Sequence, residues 1–130
     1  MSRELLDFLR ARLNEDEHWA LTVSLELRPE TWETDHENGV VLTAAGKQVA
    51  TGARHSINDL EHIARHAPAR VLREVEAKRT LLDDYDRFVA ERRRMMGGWD
   101  SYPEASPVLT AFAAVYSDHP DYRDEWRLTP

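Results

Sequence analysis

Pro68 is the residue that most constrains what this chain can fold into. It stands inside HIARHAPARVLREVEAKR, residues 62 to 79, a run with helical spacing on both sides. A proline in a helix interior has no N–H to donate, and its ring collides with the carbonyl four residues back. In the first turn of a helix the missing N–H costs nothing. The sequence therefore predicts two helices meeting at a fixed corner. The first is short, residues 57–66, with Ser56 as its cap and Asp59 and Glu61 favourable in its opening turns. The second is long, residues 68–94, stopped by Gly97-Gly98. On it Val71, Val75, Lys78, Leu82, Tyr85 and Val89 recur at alternating intervals of four and three, the geometry of a core-facing seam.

The flanking segments complete an α+β reading. Residues 3–27 hold no Gly or Pro, and Leu5, Leu9, Leu13, Ala20, Val23 and Leu27 fall on one stripe, which predicts an amphipathic helix capped by Ser2. The competing pattern is a strand over residues 21–27, where Leu21, Val23, Leu25 and Leu27 alternate with polar residues. Residues 31–51, punctuated by Gly39 and by Ala45-Gly46-Lys47, predict a three-stranded antiparallel meander that must pack on helices to be stable. Ser106-Pro107 launches a helix over residues 107–118 with Val108, Leu109, Phe112, Val115 and Tyr116 apolar, followed by an aromatic tail over 119–130. With 130 residues one domain is expected.

Charge narrows the function classes. The net charge is −7, yet residues 65–94 hold nine of the seventeen basic residues against six acids. An acidic body disfavours nucleic acid as a partner, because neutralising phosphates supplies most non-specific affinity. The basic strip of the long helix, ending in Arg92-Arg93-Arg94, keeps a nucleic-acid-associated factor as an alternative. No run approaches the roughly 20 apolar residues of a membrane span, and the charged N-terminus lacks a signal-peptide core. The absence of cysteine fits the cytoplasm and leaves only His and carboxylates as metal ligands.

The sharpest chemical pattern is His62 and His66, four apart on one helix face, as in helical zinc sites. A zinc hydrolase of that type needs Glu directly after the first His, where this chain has Ile63. Zinc would also need a third ligand, His119 or Asp118 or His55. The competing reading, which outweighs it, places His66 in a last turn favoured by the helix dipole and His62 in packing. Asp118 and His119 lack a placed nucleophile and define no triad. Tyr122 and Trp126 read instead as a clasp pinning the tail, and Trp19, Trp32 and Trp99 as core or groove residues.

Three segments, LLDFLRARLNEDE, HIARHAPARVLREVEAKR and VYSDHPDYRDEWR, resemble a family of small uncharacterised actinobacterial and actinophage proteins, a domain of unknown function. The resemblance implies no activity, cofactor or partner. It also implies Asp where Ala67 stands and often Cys where Ser106 stands, so this chain departs from its pattern at both. The expectation is a non-enzymatic cytoplasmic interaction or accessory protein without cofactor, meeting an unknown protein or a second copy of itself through its long helices. A metal-dependent site on His62, His66 and His119 is the alternative.

Overall fold

The computed structural model describes residues 2–23, 30–52, 56–95 and 107–127. The elements are α1 (Ser2–Val23), β1 (Trp32–Asp35), β2 (Val40–Thr43), β3 (Gln48–Thr51), α2 (Ile57–Arg65), α3 (Pro68–Met95) and α4 (Pro107–Ala114), then a 3-10 turn at Asp124–Trp126. The α+β class holds, with four helices and one antiparallel sheet in the order β1-β2-β3 among the described residues. Two compact units divide the chain, Asp16–Glu76 and the pair Met1–Glu15 with Ala77–Pro130.

The Asp16–Glu76 unit is built on the sheet. Its first hairpin closes around Asp35. One carboxylate oxygen of Asp35 accepts the backbone N–H of Glu37 at 3.0 Å and of Asn38 at 3.1 Å, and the other accepts the Asn38 amide at 2.8 Å. The Asn38 side chain, then its backbone N–H, hold that carboxyl below the usual carboxylate range. Gly39 follows at φ 62°, a left-handed conformation that a side chain would strain. β2 presents Val41 and Thr43 inward by strand alternation. Val41 packs with Leu60 and Ala64 of α2 into a buried cluster flanked by Trp32, Val49, Ala50 and Ile63.

Ser56 caps α2 through a reciprocal pair of bonds. Its hydroxyl accepts the Asp59 backbone N–H and the Asp59 carboxylate accepts the Ser56 N–H, both at 3.2 Å. Ser56→Ala should cost about 1 kcal/mol, read as a lower urea midpoint at unchanged slope. At the other end Pro68 opens α3 as the sequence requires, and the next N–H, that of Ala69, donates to the Glu30 carbonyl at 3.0 Å.

In the second unit, Leu5, Leu6, Phe8, Leu9 and Leu13 of α1, Leu82 and Val89 of α3, Leu109 and Ala113 of α4, and Trp126 are buried. The tail clasp is present. The Phe8 ring lies 5.0 Å from Trp126 and 6.2 Å from Tyr122, and Arg123 bonds Glu4 at 2.6 Å.

Several expectations need correction. α4 stops at Ala114 rather than 118, because from Val115 the N–H groups of Val115, Tyr116, Ser117 and His119 reach carbonyls three residues back, in successive tight turns before Pro120. Val108 and Val115 are exposed; the buried arc of this short helix runs through Leu109, Thr110 and Ala113. Trp19 is 67% exposed, no core residue, its ring edge-on to His18. Leu21 and Thr22 lie in α1, whereas residues 24–27, the Ser2 side chain, His55, Gly97-Gly98, Trp99 and Ser106 fall outside the described residues.

Candidate functional site

The helix α2 brings His62 and His66 together with ring centroids 4.3 Å apart, tilted by 39°. The Nδ1 of His66 lies 2.8 Å from the His62 carbonyl, so Nδ1–H donates there and ties the imidazole to its own helix end. His119 belongs to the other unit, where Arg12 approaches its ring. The Nη1 of Arg12 is 2.7 Å from Nδ1 of His119 and also meets Nε2. Among the described residues no group of three His, Asp or Glu side chains is placed to hold a metal ion.

Arg12 itself is unusual for its burial, with a side chain only 9% exposed. Its guanidinium lies over the Phe8 ring, 5.0 Å from the centroid, and reaches Glu15 at 3.1 Å, while its Nε has no partner among the described groups. Asp121 adds a backbone N–H to Nδ1 of His119 at 3.0 Å. The polar groups of the tail thus converge on one arginine of α1, above the aromatic clasp. This is a fastening, with the positive charge stacked on a ring and paired at its edge.

The Asp16–Glu76 unit carries an open groove of about 520 Å³. Residues Thr31 to Thr34 of the β1 region form one wall, and Ala67, Ala69, Arg70 and Arg73 the other. Its charge is mixed: Glu61 meets His36 at 2.9 Å and Arg65 at 3.6 Å, and Arg70 is held by Glu74 at 3.0 Å.

The third feature lies on α3. Leu82 and Val89 are buried along the core-facing seam, yet Leu81, Phe88 and Met95 are 52, 60 and 79% exposed. These three are seven residues apart, so successive members drift by only about 20° and form a single stripe. The stripe is roughly 21 Å long at 1.5 Å per residue. Asp84 and Arg92, one turn either side of Phe88, border it; Asp84 pairs with Arg87 at 3.2 Å. The basic strip is likewise interleaved with acids, Arg94 lying 3.9 Å from Glu91.

With the fold and these sites in place, comparison with known proteins matches the chain to a family of unknown function, DUF6221, over residues 2–128. The chain belongs to DUF6221. That membership covers both packing units, so the clasp, the groove and the α3 stripe all lie within the family's span. No curated protein and no solved structure matches.

Sequence reasoning found the seam of α3 and missed its stripe. The signal was available: Leu81, Phe88 and Met95 repeat at a strict interval of seven, beside the seam and out of step with it.

Proposed function

We propose that this DUF6221 protein is a non-enzymatic cytoplasmic interaction protein whose contact surface is the exposed stripe of α3. The observation that supports the reading is the alignment of Leu81, Phe88 and Met95 on one helix. Single exposed apolar residues are ordinary on a protein surface, whereas three large ones aligned along one helix face and rimmed by charge mark a surface that another molecule covers. A helix laid against such a row buries anchors at helical spacing, a common mode of protein recognition.

A photoreactive benzoylphenylalanine at position 88 should cross-link to whatever covers the stripe in living cells, giving a band heavier than the chain. The same group at position 90 should not, because Ala90 lies about 200° around the helix from Phe88. Equal yields, or no adduct from position 88, would remove this reading.

A further inference from the structure

We infer that the molecule covering the stripe is a second copy of this chain, its α3 running antiparallel, with the two-fold axis beside Phe88. This inference rests on the reading of α3 as a contact surface and names its occupant.

The stripe is self-complementary about Phe88. Leu81 and Met95 stand seven residues either side of Phe88. A two-fold axis at Phe88 sets Phe88 against Phe88, and Leu81 of each copy against Met95 of the other. Such an interface is isologous: the same patch serves both partners and the assembly closes at two. Every large apolar side chain of the stripe then meets another, and none faces a charged residue.

Charge agrees with that direction. Before Phe88 the segment from Leu81 carries Asp83, Asp84, Asp86 and Arg87; after it, to Met95, come Glu91, Arg92, Arg93 and Arg94. One half is net acidic and the other net basic, so antiparallel pairing places opposite halves together. Parallel pairing would place like with like. Part of the acidic half already answers α1, with Asp83 3.1 Å and Asp86 3.5 Å from Arg10. Asp84, paired with its helix neighbour Arg87 at 3.2 Å, is an acid bordering the stripe, at the level where the second copy brings Arg92. An exposed i,i+3 pair of that kind is worth little and rearranges readily.

A single helix face from each copy is a small interface by the standards of stable complexes. Association should therefore be reversible, half complete at about 10–100 µM protein. Complementary halves act on partner choice and orientation more than on strength.

The chain has no cysteine, so single cysteines report register without background. With the full chain at about 100 µM, Phe88→Cys should give a covalent dimer with a short bis-maleimide, because residue 88 meets itself. Leu81→Cys and Met95→Cys should each stay monomeric when treated alone and should cross-link when mixed. Self-cross-linking of all three at equal yield would mean parallel pairing and would overturn the inference. Sedimentation of the unmodified chain adds the oligomeric state: a monomer throughout this range also overturns it. In that case a position-88 photo-adduct heavier than the chain but unequal to twice its mass leaves the contact surface standing with another occupant, whereas no adduct removes both. Phe88→Glu should raise the dimer midpoint at least 10-fold while leaving the far-ultraviolet helix signal unchanged, since its side chain is exposed in the monomer.

Discussion

Trp126→Ala is expected to destabilise the chain by about 3–5 kcal/mol, the range for removing a large aromatic from a packed site. Trp126 is 3% exposed and stands against Phe8, with Tyr122 edge-on at 5.8 Å and the Arg123 guanidinium 5.4 Å from its ring centroid. Alanine would leave a cavity bordered by Phe8, and Phe8 in turn carries the stacked charge of Arg12. The cost is one of packing, because the indole N–H has no hydrogen-bond partner among the described groups. Trp126→Phe keeps most of the ring and deletes that N–H, so it should cost less than about 1.5 kcal/mol. Urea unfolding followed by circular dichroism gives both values. Equal losses in the two variants would show that the N–H, and not the ring, holds the tail.

The clasp also shows why some of this architecture was legible from sequence. Tyr122 and Trp126 were placed by type and spacing alone, since large aromatics after a helix stop have few ways to be satisfied except by burial. Pro68 and Ser56 announced their helix starts through backbone chemistry that context rarely overrides. What was not legible depended on side chains far apart in sequence. Nothing in LRARL signals that Arg12 would be buried; that follows from Phe8 beneath it and His119 beside it. The division into two units was hidden for a related reason. Both cuts, after Glu15 and after Glu76, fall inside continuous helices, where no Gly, Pro or polar linker marks a boundary. The four-and-three seam of α3 was readable as periodicity, but periodicity alone assigned no meaning to apolar residues just beside it. Burial supplied that meaning, separating Leu82 and Val89 from Leu81 and Phe88.

The division into units also sets where a second large effect falls. Leu60→Ala should destabilise the sheet and α2 by about 2–5 kcal/mol. Leu60 is 1% exposed and joins Val41 and Ala64 in the cluster, with Trp32, Val49, Ala50 and Ile63 only partly buried around it. Three four-residue strands have little stability of their own and depend on the helix packed against them. Removing the larger of the two buried α2 side chains leaves Ala64 as the other buried residue of that helix against the sheet. Opening should then be local, since regions with few buried contacts unfold before the rest. Amide hydrogen exchange is the appropriate measurement: β2 and α2 amides should exchange about 30-fold faster or more, the equivalent of the lower bound at 1.36 kcal/mol per tenfold. Ile57→Ala, on the same helix with its side chain exposed, should stay within about 0.5 kcal/mol of the parent. If Leu60→Ala changed exchange in β2 less than about threefold, the cluster could not be what ties α2 to the sheet, and the Thr34–Leu60 hydrogen bond and the His36–Glu61 contact would have to carry that attachment.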